Sequence, residues 1–252
     1  LPFRPSDLER HSRHLPLQIV VTVDHSTLVA IDAQAKSDAC LASVTTSSAG
    51  VVAFGTNGRT TPGGRTPVTP APNIVFAFAD DWGRYASAYA KLEPGGPSDI
   101  VRTPNFDRIA SIGQRYNNFH TTGICSPTRA ALLTGRNHHN SGVGYLADLP
   151  NGFPGYGARI LRSTATMAQV LTLNGYNTAM FGKHHNVPTS DRTEAGPFDA
   201  WPTGLGFEYF FGFVNGDTDQ FEPNLYRGTQ RVDPDESRGE MLDERLADDL
   251  IR

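Results

Sequence analysis

Short apolar runs and segments of helical spacing alternate along the chain from about residue 73 onward. The run NIVFAFADDWG, residues 73–83, begins with the continuous apolarity and length that are typical of a strand buried in a parallel sheet. A second such run, YNTAMFG at residues 176–182, follows a predicted helix at residues 164–174. Strands that alternate with helices in this way predict an α/β fold.

A further helix and strand are predicted between these two runs, at residues 103–121. Thr103 is a suitable N-cap and Pro104 suits the first helical turn, while Phe106 begins an apolar stripe at helical spacing. Residues 116–121 form the predicted strand, and His120 lies at its end.

Two carboxylates, Asp80 and Asp81, follow the first apolar run directly. Adjacent strand residues point to opposite faces, so both carboxylates reach one ion only beyond the end of the strand, where Gly83 permits a turn. In open α/β sheets ligands bind in this crevice, and two hard carboxylates suit Ca²⁺ or Mg²⁺. An isolated Asp-Asp step is also common in solvated loops and at helix caps.

The stretch CSPTRAALLTGR, which begins at Cys125, predicts a helix whose first turn carries the cysteine. Pro127 fits the first turn, good helix formers follow, and Gly135 is a suitable stop. Arg129 lies about one turn after Cys125, so we expect its guanidinium to lean back toward position 125. The free N–H groups and positive dipole end of the helix favour an oxyanion such as sulfate or phosphate there. Cys125 has two alternative roles, as a buried thiol or as the disulfide partner of the only other cysteine, Cys40.

The order Cys-x-Pro-x-Arg and the helix formers after it resemble the signature of the type I sulfatases, in the alkaline phosphatase superfamily. The resemblance implies a mostly parallel sheet sandwiched by helices and the hydrolysis of sulfate esters. It also implies that a formylglycine-generating enzyme oxidises Cys125 to formylglycine, which hydrates to a geminal diol. One hydroxyl then attacks sulfur and the other allows sulfate to be expelled.

The segment GKHH, residues 182–185, follows the second predicted strand. Taken alone it is compatible with a solvated basic loop. It resembles the sulfatase motif Gly-Lys-x-His, which implies that Lys183 and His185 contact the sulfate group or the leaving oxygen. His184 stands where the family often has Trp and Asn186 where Leu is usual, so the family does not predict the polarity of the pocket wall here.

The resemblance also implies a divalent metal, Ca²⁺ with Mg²⁺ as the second choice, held by Asp80, Asp81 and the converted Cys125. Arg129, Lys183 and His185 complete the predicted catalytic set with Cys125.

For several other polar and aromatic residues, the sequence favours a structural role. His138 and His139 indicate a surface loop, with the lining of a cleft as the alternative. The run FEYFFGF, residues 207–213, indicates core or pocket wall, and Asp217 and Asp219 indicate turns, with substrate contact as a weaker alternative. The acidic residues at 243–249 indicate a charged helix without a metal.

The composition, with 252 residues, 38% of them hydrophobic, and a net charge of −4, is compatible with one sizeable α/β core or with a piece of a larger protein. This charge gives no electrostatic case for nucleic acid, and no apolar run approaches the roughly 20 residues that span a bilayer. Residues 1–72 are predicted to be an N-terminal extension that contains strand-like sequence at residues 17–33 and ends in a Ser/Thr/Gly/Pro-rich linker at residues 42–72. No signal peptide pattern is visible, although sulfatases are commonly secreted, periplasmic or lysosomal.

The resemblance covers residues 73–252, the front part of a catalytic domain that runs further in the family. The family completes its site with a later Asp-Asn pair, a histidine and a lysine, and no Asp-Asn step occurs in this sequence. We therefore expect a fragment with an incomplete sheet, and its activity by itself is left open. The alternatives to a sulfatase are a phosphonate or phosphate ester hydrolase of the same superfamily and a non-catalytic binding module.

Overall fold

The computed structural model describes residues 20–23, 50–52, 54–56, 74–82, 85–92, 94–116, 118–234 and 239–251 of the chain. Cys40, the partner in the alternative disulfide, lies outside the described residues. Within the described part of the chain, Cys125 is a free cysteine.

The described residues contain a sheet whose four neighbouring central strands, in the order β4, β1, β5 and β6, are all parallel. The remaining strands pair antiparallel: β2 with β4, β3 with the start of β5, β7 with β6, and β8 with β7. The strands are β1 (Val20–Val23), β2 (Gly50–Val52), β3 (Phe54–Thr56), β4 (Phe76–Ala79), β5 (Tyr176–Lys183), β6 (Tyr209–Phe213), β7 (Tyr226–Arg227) and β8 (Gln230–Arg231).

Four α-helices accompany the sheet in the described part of the chain: α1 (Pro104–Ile112), α2 (Cys125–Thr134), α3 (Met167–Leu173) and α4 (Leu242–Ile251). Short 3₁₀ turns occur at Ser87–Tyr89, Pro97–Asp99 and Thr189–Asp191. The helix predicted at residues 164–174 begins later, because Thr166 and Gln169 form a reciprocal capping box at its start. None of the helices in the described ranges is long and apolar enough to cross a bilayer.

Alternate residues of β5 and β6 point to two hydrophobic cores, one on each face of the sheet. Met180 and Phe210 lie in the first core, together with Ala130 of α2 and Ala168 of α3. The second core contains three leucines of α4 and the residues Phe181, Phe211 and Phe213. The expected α/β fold, with a mostly parallel sheet sandwiched by helices, is confirmed.

The strand predicted at residues 116–121 is wrong. The described residues of this segment are irregular, and Tyr116 and Phe119 are both about half exposed. A strand is stabilised by cross-strand partners, and no strand pairs with this segment within the described residues.

The predicted linker at residues 42–72 is interrupted by the strands β2 and β3, which pair with β4 and β5. The reason is local, since Val51, Val52 and Phe54 favour extended structure within an otherwise Ser/Thr/Gly-rich stretch. The division of the chain at residue 72 stays a prediction, and most of residues 1–72 lies outside the described part.

Candidate active site

Three sequence motifs meet at the carboxyl ends of the parallel strands. Asp80 follows the last residue of β4, Lys183 is the last residue of β5, and Cys125 is the first residue of α2. β1 lies between β4 and β5 in the sheet, so the side chains of Asp80 and Lys183 reach each other across the end of an intervening strand.

The carboxylate of Asp80 is buried between two cations. Its Oδ1 atom lies 3.2 Å from Nη2 of Arg129, and its Oδ2 atom accepts a hydrogen bond from Nζ of Lys183. All three side chains are at most 5% exposed. Burial by itself raises the pKa of Asp80, but the charges and hydrogen bonds of Arg129 and Lys183 outweigh it and hold the pKa below its ordinary value.

Arg129 lies in α2, the signature helix that carries the Cys-x-Pro-x-Arg motif, and it contacts residues at the ends of both β4 and β5. Its Nη1 atom donates to the main-chain carbonyl of Lys183 at 2.6 Å, and its guanidinium carbon lies 4.7 Å from the centre of the Phe78 ring. The sequence predicted that Arg129 leans back toward position 125. The structure instead directs two of its nitrogens to Asp80 and to the end of β5.

The helix α2 begins and ends as predicted. Ile124 is extended and precedes Cys125, Pro127 lies in the first turn, and Gly135 ends the helix in the left-handed region with φ 63°. The left-handed backbone conformation at the end of a helix favours glycine, which explains why α2 ends at Gly135.

Cys125 and His185 are in direct contact, with Sγ 3.0 Å from Nδ1. His185 is only 2% exposed and has a left-handed backbone, with φ 53°. Burial lowers the pKa of His185 most strongly, and the hydrogen bond with Asp148 offsets only part of that effect. Position 125 therefore faces an imidazole that remains neutral near pH 7.

The structure adds two residues that the sequence did not single out. Oδ2 of Asp148 lies 2.5 Å from Nε2 of His185, and Oδ1 of Asp148 accepts from Nη1 of Arg192 at 2.5 Å. Burial raises the pKa of Asp148, but the hydrogen bonds from Arg192 and His185 outweigh it and lower the pKa to about 2. Asp148 lies 37 residues from His185 and 44 from Arg192, and neither Asp148 nor Arg192 is part of a motif, so no local pattern pointed to them.

The described residues do not by themselves build a Ca²⁺ site. Asp80 already has both oxygens engaged by cations, whereas Asp81 is exposed and left-handed, with φ 52°. No group of three or more histidine, cysteine or acidic side chains in the described part could hold a metal ion. Since Ca²⁺ takes about six to eight oxygens, the assignment of Asp80, Asp81 and Cys125 as metal ligands stays a prediction.

The secondary candidates take structural roles. His139 is exposed and contacts Asn137 and Tyr156 in a loop, as its surface-loop prediction indicated. Asp219 accepts from the main-chain N–H groups of residues 221 and 222, which confirms its turn role. Asp249 accepts from the hydroxyl of Tyr209.

Comparison with known proteins identifies the family. A family model described as Sulfatase matches residues 72–252, and the chain therefore belongs to the sulfatase family. It is 34% identical over 157 residues to an uncharacterized sulfatase of Schizosaccharomyces pombe, covering 60% of this chain and 26% of that protein. It is 33% identical over 162 residues to an arylsulfatase of Klebsiella aerogenes, covering 63% and 31%.

A third relative is arylsulfatase G of Mus musculus, with 36% identity over 149 residues, covering 57% of this chain and 24% of that protein. The chain thus spans about a quarter to a third of the length of these relatives.

Proposed function

We propose that this chain contributes the nucleophile and the oxyanion-binding cations of a sulfuric ester hydrolase. The observation that carries the proposal is the convergence of Cys125 and His185 beside the buried cluster of Asp80, Arg129 and Lys183. Two relatives, the arylsulfatase of Klebsiella aerogenes and arylsulfatase G of Mus musculus, support an aryl sulfate as the first substrate to test.

The charge of the site favours an anionic group. Two basic side chains, Arg129 and Lys183, contact the single carboxylate of Asp80 in a buried cluster. The N-terminus of α2 adds the positive end of a helix dipole at position 125. Electrostatic stabilisation of this kind acts on the charge that develops on a transferred sulfuryl group.

Formylglycine derived from Cys125 would supply a hydrated aldehyde as the nucleophile and as the group that releases sulfate. Cys125 is part-buried at the start of α2 beside His185, so a hydrated aldehyde at this position would lie against the imidazole ring. Through its Nδ1 atom, His185 would accept a proton from the group at position 125 or return one to it. Its predicted role at the leaving oxygen is part of the same proposal. A divalent metal is part of the same proposal: Asp80 and Asp81 would contribute carboxylate oxygens to it, and it would stabilise negative charge on the transferred group.

Mass spectrometry of the tryptic peptide that spans residues 116–129 tests the proposal directly. In protein co-produced with a formylglycine-generating enzyme, we expect an aldehyde at position 125 and turnover of an aryl sulfate. The variant Cys125→Ala provides the control and should show neither. An unmodified thiol in protein that still hydrolyses the aryl sulfate would refute the formylglycine route.

Paired assays separate the alternatives. Faster turnover of an aryl phosphate than of the matched aryl sulfate would favour the phosphate or phosphonate ester hydrolase. Calorimetric binding of sulfate without turnover by the modified, intact protein would favour a binding module.

A further inference from the structure

We propose that Asp148 is a positioning residue that fixes the tautomer and the orientation of the His185 ring, and that Arg192 fixes Asp148 in turn. The kinetic consequence of this inference rests on the proposed function.

The hydrogen bond between Asp148 and His185 determines which ring nitrogen carries the proton. Oδ2 of Asp148 lies 2.5 Å from Nε2, and an ionised carboxylate can only accept a hydrogen bond. Nε2 of the neutral ring therefore carries the hydrogen, and Nδ1 presents its lone pair. That lone pair faces Sγ of Cys125 at 3.0 Å, so the thiol donates to it.

Asp148 is itself held from two sides. Nη1 of Arg192 donates to Oδ1 of Asp148 at 2.5 Å, and Nε of Arg192 donates to the carbonyl of Val187 at 2.8 Å. Val187 follows His185 by two residues, so the carboxylate is anchored to the same loop that carries the ring.

The second anchor is the signature helix. The main-chain N–H of Ala147 donates to Oγ of the buried Ser126 at 3.1 Å. Ala147 and Ser126 are the chain neighbours of Asp148 and Cys125. The nucleophile position and the carboxylate that orients its histidine are therefore tied together through the backbone.

A nucleophile, a histidine and a carboxylate in this order form an arrangement in which the carboxylate orients the base. Without the carboxylate, the neutral ring is free to place its hydrogen on either nitrogen. In the wrong tautomer, Nδ1 would direct its N–H at position 125 and could not accept a proton from it.

The test uses ¹⁵N NMR of the histidine rings in the intact protein at neutral pH, with the His185 signals assigned by their loss in His185→Gln. In the wild type we expect hydrogen on Nε2 and a lone pair on Nδ1. In Asp148→Asn we expect a mixture of both tautomers, and in Asp148→Glu a return toward the wild-type pattern. The matched control is Asp199→Asn, which removes the carboxylate of an exposed pair with Arg162 and should leave the His185 signals unchanged.

The kinetic arm measures aryl sulfate hydrolysis by the same variants. We expect kcat to fall on the order of 10²-fold in Asp148→Asn with KM nearly unchanged, because proton transfer rather than substrate binding is affected. Asp148→Glu should recover part of kcat, and Asp199→Asn should match the wild type.

The NMR measurement and the kinetic measurement test different parts of the inference. Hydrogen on Nδ1 in the wild type, or an unchanged tautomer in a folded Asp148→Asn, would overturn the inference whatever the activity. If Asp148→Asn does not fold, the wild-type tautomer and the Asp148→Glu spectrum still decide. An intact protein that never hydrolyses a sulfate ester would count against the proposed function while the NMR result on Asp148 stands.

Discussion

Arg129 and Lys183 are joined directly, because Nη1 of Arg129 donates to the main-chain carbonyl of Lys183 at 2.6 Å. This hydrogen bond connects the start of the signature helix to the end of β5. Both side chains also bind Asp80. Two motifs that are 54 residues apart in the chain thus share one buried polar cluster.

The substitution Arg129→Lys should destabilise the fold, because a lysine cannot reach Asp80 and the carbonyl of Lys183 at once. We expect the free energy of unfolding to fall by about 3 kcal/mol, because breaking a buried ion pair typically destabilises a protein by about this amount. Urea denaturation measures this loss. The matched control is Arg162→Lys in the exposed pair with Asp199, which should cost less than about 1 kcal/mol. Equal losses in both variants would contradict the special role of the buried cluster.

His184 should make the stability of the protein depend on pH. The residue is fully buried and Nε2 donates to the carbonyl of Ala200 at 3.0 Å. Burial lowers the pKa of His184 from 6.5 to about 3, so between these values the unfolded chain binds a proton that the folded chain does not. The free energy of unfolding should therefore fall as the pH drops from 6.5 toward 3.

Urea denaturation at a series of pH values measures this dependence. His184→Gln keeps an N–H donor without the titration, and its stability should fall less steeply over the same range. His120→Gln, at an exposed position, is the control and should follow the wild type. Identical slopes for wild type and His184→Gln would show that His184 does not carry the effect.

Gly216 should be required for the position of the His185 ring. A Cβ atom at this glycine would lie 2.8 Å from Cε1 and 2.9 Å from Nε2 of His185. Gly216→Ala should therefore displace the ring and lower kcat, and a misplacement of about 1 Å can cost on the order of 10²-fold. Gly152→Ala is the control, since nothing lies within 4 Å of a Cβ built there. Wild-type kcat in a folded Gly216→Ala would contradict the steric argument.

Asp249 should hold α4 against the sheet. It accepts from the hydroxyl of Tyr209 at 2.5 Å and from Arg227 at 3.2 Å, and burial together with Asp249 raises the pKa of that hydroxyl. Asp249→Ala leaves both partners without this acceptor, so we expect a loss of about 1 to 3 kcal/mol. Faster amide hydrogen exchange in α4 would report the loosening. The neighbouring Asp248 is exposed, and Asp248→Ala should exchange like the wild type.

Elements with local signals were predictable from the sequence. Helix α2 has Pro127 in its first turn and Gly135 at its end, and both signals act within a few residues. The same holds for β5, whose apolar run ends in Lys183, and for Asp80 after β4. These are the residues that the structure brings together.

Contacts between distant loops were not predictable. Asp148 and Arg192 lie in segments without periodicity, and only the folded chain brings them to His185. The prediction of a strand at residues 116–121 was wrong for a related reason. The apolar residues of this segment suggest a strand, but strand formation depends on a partner strand elsewhere in the chain. Position 129 was predicted as part of the site and contacts Asp80 and Lys183, yet the direction of its side chain is set by Asp80, which is far away in sequence.

The separations along the chain have a consequence for folding kinetics. Lys183 and Asp80 are 103 residues apart, and Cys125 and His185 are 60 apart. Closing such long loops has a large entropic cost before the contact is formed, which delays non-local pairs relative to local helices. We therefore expect the contacts of the candidate site to form late, after the local helices, so that a nascent or partly folded chain exposes residue 125 before its imidazole neighbour arrives.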